Sequence, residues 1–149
     1  MVLRMKRIAA IVGMAGSGKT EAAAVFRNHG FYFIRLGQIT LDEVARRGLE
    51  PGEKSEKPIR DGIRKKYGMA AYATLNFPKI DLMLKKRNVV VDGLYSWEEY
   101  LAFRKKYGKK FYVIAIYASP KIRYKRLQKQ KYDKKKDIKM VRRHYTPKE

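Results

Sequence analysis

The sequence predicts an α/β fold with a parallel sheet, and three observations carry that expectation. Short apolar runs alternate with amphipathic stretches of helical period along the whole chain. The first run passes directly into Gly13-Met14-Ala15-Gly16-Ser17-Gly18-Lys19-Thr20, and a run of good helix formers follows. A further run, Val89-Val90-Val91, ends in Asp92-Gly93. Apolar runs without a polar alternation read as strands buried on both faces, the pattern of a parallel sheet with helices on either side.

The first strand is Arg7-Ile8-Ala9-Ala10-Ile11-Val12. The glycine loop after it fits G-x-x-x-x-G-K-[ST], the phosphate-binding loop. Its glycines turn successive backbone N–H groups toward one point, where a side chain would block a phosphate. Lys19 would reach the β/γ-phosphates, and the Thr20 hydroxyl would hold Mg²⁺. Glu21 to Arg27 continue as a helix whose positive end faces the same anion, closing at Asn28-His29-Gly30. A strand, a glycine loop and a helix in this order are the context the motif needs.

Phe31 to Arg35 form a second strand, and Leu36-Gly37-Gln38 the turn leaving it. Thr40-Leu41-Asp42-Glu43 reads as a capping box for a short helix ending at Arg46-Arg47-Gly48. Lys57 to Tyr67 read as a helix stopping at Gly68, and Met69 to about Lys86 as a longer one, kinked or split at Pro78. A helical insert over 37–86 is thus expected between the second and third strands.

Asn88 to Gly93 form the third strand, with Asp92 at its carboxyl end. In an open parallel sheet that end carries the ligand crevice. Asp92 there fits a metal-holding role with Thr20; an aspartate before glycine is also a common turn. Ser96-Trp97-Glu98-Glu99 is a second capping box, opening a helix to Tyr107-Gly108. Lys110 to Ala118 form the fourth strand, and Pro120 starts a basic helix on which Arg123 and Arg126 share one face. Thr146-Pro147-Lys148-Glu149 is itself a helix start, from which the chain is expected to be shorter than its parent fold.

Composition narrows the class. The chain has 149 residues, 45% of them hydrophobic, enough for one domain with a core. No cysteine is present, which excludes disulfides and Cys-based metal sites and points to a reducing, cytoplasmic setting. No apolar run approaches the length of a membrane span, so no membrane partner is expected. Thirty-six Lys plus Arg against 14 Asp plus Glu give a formal charge of +22. That balance fits either a polyanionic partner such as nucleic acid or a solvated basic surface. Tyr67, Tyr72, Phe77, Tyr95 and Trp97 lie among the basic residues, either as stacking platforms or, more in keeping with helical spacing, as core.

Taken together, Gly13 to Thr20, the insert after Gly37-Gln38, Val91-Asp92-Gly93 and Ala118 to Leu127 resemble the P-loop small-molecule kinases, closest to adenylate-kinase-related and dephospho-CoA-kinase-like proteins. The resemblance implies a P-loop NTPase three-layer sandwich over 1–149, with a parallel sheet in the order 2-3-1-4-5 whose fifth strand would lie beyond Glu149. It implies that the 37–86 insert binds the phosphate acceptor and that 121–145 form a basic lid. It implies ATP and Mg²⁺ as cofactors, Gly13 to Thr20 as the nucleotide-binding loop, Thr20 and Asp92 as metal residues, and Lys19, Asp92, Arg126 and Arg123 as catalytic residues. For the two arginines, a plain basic helix surface is the alternative. The implied activity is phosphoryl transfer to a nucleoside monophosphate or a dephospho-CoA-like acceptor. Neither acceptor class brings its own signature here: Leu41 and Tyr95-Ser96 stand where acceptor arginines are usual, and Gln38, with Asp42 one turn on, where a base is usual. Arg35, Arg60 and Arg64 are candidates for acceptor contacts. The alternatives are a nucleotide-dependent switch or nucleic-acid-associated ATPase, and a shortened, inactive ATP-binding domain. The fourth strand, left at the edge, is expected to favour self-association.

Overall fold

A computed structural model describes residues 5–129. Four strands form one parallel sheet: β1 (Ile8–Val12), β2 (Tyr32–Arg35), β3 (Val89–Asp92) and β4 (Phe111–Ala115), in the order β2-β3-β1-β4. Ile8 lies opposite Val89 on one side and Phe111 on the other, so the strand starts are level. This is the order that the sequence resemblance implies for its first four strands.

The period-two alternation of β1 decides the layers. Ile8 and Ala10 face one core with Val89, Val91, Ile80 and Phe103. Ala9 and Ile11 face the other with Val90, and Ala22 and Phe26 of helix α1 (Lys19–Asn28) cover them. Both faces of the central strands are buried, which is why β1 and β3 read as unbroken apolar runs.

Helices α2 (Gln38–Arg46), α3 (Glu53–Tyr67), α4 (Ala71–Thr74) and α5 (Phe77–Leu84) lie between β2 and β3. The expected long helix is two, because Pro78 has no N–H to continue α4 and instead occupies the first turn of α5. Helix α3 begins at Glu53, earlier than expected, and holds Pro58 in its first turns. Thr40 does not cap α2. That helix starts at Gln38, and the Thr40 hydroxyl is buried against the Tyr72 hydroxyl instead. Glu43, the other half of the expected box, is clamped by Arg46 and Arg47 at 2.6 and 2.7 Å.

The second capping box is present in full. Ser96 Oγ accepts from the Glu99 N–H at 3.1 Å, and Glu99 Oε2 accepts from the N–H of Ser96 at 3.2 Å and of Tyr95 at 2.9 Å. It opens α6 (Trp97–Tyr107), after which a 3-10 turn, Gly108–Lys110, leads into β4. β4 is shorter than the apolar run suggests: Ile116 to Ser119 leave the sheet as a loop, and α7 (Pro120–Lys129) follows. β4 is an edge of the sheet among the described residues, with Tyr112 and Val113 47% and 41% exposed. The helix start at Thr146-Pro147 and the segment 130–145 lie outside the described residues. Among the described residues, no helix is long and apolar enough to cross a membrane.

Candidate functional site

The site begins where β1 stops. Gly13 leaves the strand with φ +151°, and a Cβ there would lie 2.5 Å from the Ile116 carbonyl oxygen and 2.7 Å from Ser17 Oγ. Gly16, at φ +77°, packs so closely on α7 that a Cβ would meet the Arg123 carbonyl oxygen at 2.8 Å. The loop is therefore held from behind by the segment after β4. Gly18 occupies the N-cap of α1 without a side-chain cap, so the first-turn amides of α1 remain available to an anion.

Lys19 is the first residue of α1. Its Nζ donates to the carbonyl oxygens of Gly13 at 2.9 Å and Met14 at 3.2 Å, which arches the side chain over the loop. Burial lowers its pKa, and the Asp92 charge opposes that shift. Asp92 ends β3 next to β1, with Ile11 as its register partner on one side and Arg35 of β2 on the other. The structure thus brings Lys19 and Asp92 together from 73 residues apart in the chain. Two buried oxygens here, Ser17 Oγ and Asp92 Oδ1, have no hydrogen-bond partner among the described residues. Buried polar atoms are rarely left unpaired without a ligand or water to serve them. An acceptor carboxylate, a serine hydroxyl and a fan of amides suit a phosphate carrying a hard divalent cation. Thr20 is exposed at the second position of α1. Met14 and Ala15 form the loop tip, and Met14 is 40% exposed.

The two arginines of α7 part company. Arg126 Nη1 donates to the carbonyl oxygens of Gly16 and Ser17, both at 3.1 Å, so its guanidinium borders the phosphate loop. Arg123 is 3% exposed and its Nε donates to the Ala118 carbonyl at 2.9 Å. A basic-surface role does not fit so buried a side chain. Arg123 ties the first turns of α7 to the loop that leaves β4, and its backbone backs Gly16. The i,i+3 spacing that puts both on one face gives no sign of this division.

Beside the carboxyl end of β2 lies a cleft of about 390 Å³. Arg35, Gln38, Asp42, Asn76 and Lys79 supply its polar lining. Gln38 Nε2 donates to Asp42 Oδ1 at 3.0 Å, across one turn of α2. Of the other candidate acceptor residues, Arg60 is engaged by Glu53 and Glu56, and Arg64 lies over the Tyr72 ring. Asn76 was not foreseen. Its Nδ2 donates to the carbonyls of Leu36, at 3.1 Å, and Tyr72, at 2.7 Å, fixing the turn after β2 against α4. Nothing local marks it, because its partner at Leu36 is 40 residues away. Of the aromatic group, Tyr72 and Phe77 are core, whereas Tyr67, Tyr95 and Trp97 are exposed.

Residues 10–146 match the family model described as AAA domain. A UPF0200 protein of Methanosarcina mazei is 38% identical over 126 residues, covering 85% of this chain and 67% of that one. A UPF0200/UPF0201 protein of Archaeoglobus fulgidus is 39% identical over 132 residues, 88% of this chain and 41% of that one. A UPF0200 protein of Pyrococcus horikoshii is 33% identical over 122 residues, 80% of this chain and 66% of its own length. The chain thus spans about two thirds or less of the length of these relatives. Among solved structures, a sugar kinase from Janibacter sp. aligns with a TM-score of 0.55 at 14% identity, over 86% of this chain and 69% of that one. TT1252 from Thermus thermophilus aligns with a TM-score of 0.50 at 16% identity, over 97% and 82%. Likeness at such identity is a likeness of fold.

Proposed function

The chain belongs to the UPF0200 family and carries its AAA domain on a P-loop, kinase-like fold, and from that premise we propose that it transfers the terminal phosphoryl group of ATP, bound with Mg²⁺, to a small acceptor. The observation that carries this reading is the convergence at the loop of Lys19, the buried unpaired oxygens of Ser17 and Asp92, and Arg126. A glycine turn without a ligand has no use for such a set.

The division of labour follows from position. The loop amides and the first turn of α1 hold the phosphates, and Lys19 exchanges its carbonyl partners for phosphate oxygens. Thr20 and Asp92 would hold the metal, which would supply charge neutralisation for the transferred phosphate. Arg126 reaches the same space from α7 and stabilises charge that grows on the transferred group. Arg123 positions α7 for it. The acceptor enters the cleft after β2, where Arg35 and Lys79 favour an anionic group. For a phosphate acceptor, such as a nucleoside monophosphate, no base is required. For a hydroxyl acceptor of the dephospho-CoA kind, Asp42 is the carboxylate in place.

Calorimetric titration of Mg-ATP into the protein, with Lys19→Ala as control, tests the first half of this reading. Binding that the substitution abolishes is the expected result, and a parent chain that binds no Mg-ATP would sink it. A screen of nucleoside monophosphates and dephospho-CoA, with product detected by chromatography, then tests the acceptor.

A further inference from the structure

We propose that the face at the amino end of the sheet, opposite the phosphate loop, binds the backbone of a single-stranded nucleic acid. Level strand starts bring the residues before β1, β3 and β4 to one edge, with Ile8 flanked by Val89 and Phe111. Arg7, Arg87 and Lys110 stand at or next to the positions before those strands, and all are exposed. Lys85, Lys106 and Lys110 line a groove of about 370 Å³ with Tyr107 and Asp81. Arg7 donates from its backbone N–H to Asn88 at 2.8 Å, which ties the β1 and β3 portions of the face together.

Charge balance separates this face from that of α2 and α3. On α2 and α3 the cations are interleaved with acids: Arg46 and Arg47 meet Glu43, Lys57 meets Asp61, and Arg60 meets Glu53 and Glu56. On the amino-end face Asp81 is the one carboxylate in an ion pair among the described residues. It is taken up by Lys106 at 3.0 Å and by the Tyr107 hydroxyl at 2.8 Å. Helix C-termini favour a cation or two in the last turn, which accounts for Lys110 at the end of the 3-10 turn, but Arg7 precedes β1, where no helix dipole calls for it. Cations spaced along a groove, with only Lys106 paired to a carboxylate among the described residues, suit a repeating anion. Tyr112, 47% exposed, lies under the Arg7 guanidinium at 5.6 Å and offers a platform on which an unpaired base can stack. That platform favours a single strand over a duplex.

The experiment is fluorescence anisotropy with labelled 20-nucleotide RNA and DNA of one sequence, single-stranded and duplex, across a salt series. The triple variant Arg7→Gln, Lys85→Gln, Lys110→Gln is compared with Lys54→Gln, Lys57→Gln, Lys65→Gln, which removes equal charge from α3. Expected for the amino-end variant is a log–log salt slope shallower by about 2, from about 0.7 per lost contact on a single strand. An affinity at least about tenfold weaker at moderate salt goes with it, while the α3 variant follows the parent. Because the site is remote from the loop, Lys19→Ala is expected to bind the strand as the parent does. If substitution of Arg7 lowers the melting temperature, the Lys85, Lys86, Lys110 triple reads the same face without it. Equal weakening by both triples, or a preference for duplex, would overturn the proposal. So would equal capture by phosphatidylserine vesicles at matched phosphate concentration.

Discussion

Arg126 donates to the backbone oxygen of Ser17 at 3.1 Å, a bond that spans 109 residues and ends on the residue whose own hydroxyl is buried with no partner among the described residues. The carbonyls of Gly16 and Ser17 thus hold the guanidinium at the rim of the loop. Removing it affects catalysis more than ground-state binding, since the charge it answers grows only during transfer. Arg126→Ala is expected to lower kcat by about 10²–10³, with the affinity for Mg-ATP changed little. Steady-state kinetics beside calorimetry reads the two quantities apart. Equal loss in both would make Arg126 a ground-state phosphate ligand.

Lys19 carries a pH signature. Burial lowers its pKa in the folded chain below the ordinary 10.5. Between that lowered value and 10.5 the unfolded chain binds more protons, so this group's contribution makes stability rise as pH rises through the window. Other lysines titrate there too, and the difference between parent and Lys19→Met isolates the one group. The melting temperature of the parent relative to Lys19→Met is expected to climb as the pH rises toward 10.5, and at pH 7 the methionine variant melts no lower than the parent. A difference that stays flat with pH would mean that Lys19 is as well solvated as a surface lysine.

Much of this arrangement is legible in the residues, and the parts that are not share one cause. The phosphate loop is marked by a contiguous motif, and the break at Pro78 and the Ser96–Glu99 box are local, each depending on partners within a few positions. Thr40 shows how the same local rule fails. Its hydroxyl has a better partner in Tyr72, 32 residues on, and the helix starts before it. Arg123 and Arg126 look alike along the chain because only packing against Gly16 and Ala118 tells them apart. Lys19 and Asp92 are predicted individually; their proximity follows once β1 and β3 are known to pair.

Gly16 and Gly30 form a controlled comparison. Both have positive φ, +77° and +83°, but an added Cβ at Gly30 meets nothing within 4 Å, while at Gly16 it meets Arg123 and Leu127 at 2.8 to 3.2 Å. Gly30→Ala should therefore cost only the left-handed backbone, roughly 1–2 kcal/mol. Gly16→Ala should cost clearly more, because backbone of α7 must move, and should weaken Mg-ATP binding as well. Thermal melts of the two variants check the order, and equal costs would show that α7 does not brace the loop.

Asn76 is buried and satisfies two carbonyls, those of Leu36 and Tyr72. Asn76→Ala leaves both without this donor, at about 2–3 kcal/mol by the usual cost of an unmet buried group. Since Leu36 precedes Gly37 and Gln38 at the mouth of the cleft, the variant should also raise KM for the acceptor while leaving Mg-ATP affinity unchanged. Denaturant melts measure the first effect and kinetics the second. A destabilised variant with an unaltered KM would separate Asn76 from the acceptor cleft.

The last prediction concerns the sheet edge. β4 pairs with β1 on one side, and on its other side no strand lies against it among the described residues. Tyr112 and Val113 are exposed there, and an apolar edge with open N–H and C=O groups is a template for another chain. The large positive charge opposes approach of two copies, so salt should assist it by screening, the Debye length shortening from about 10 Å at 0.1 M to about 3 Å at 1 M. Sedimentation velocity is expected to show a dimer that grows with protein concentration and with salt, and Val113→Lys, a charge placed on the edge, is expected to abolish it. A monomer that persists at high concentration and high salt would show that the edge is closed to self-pairing.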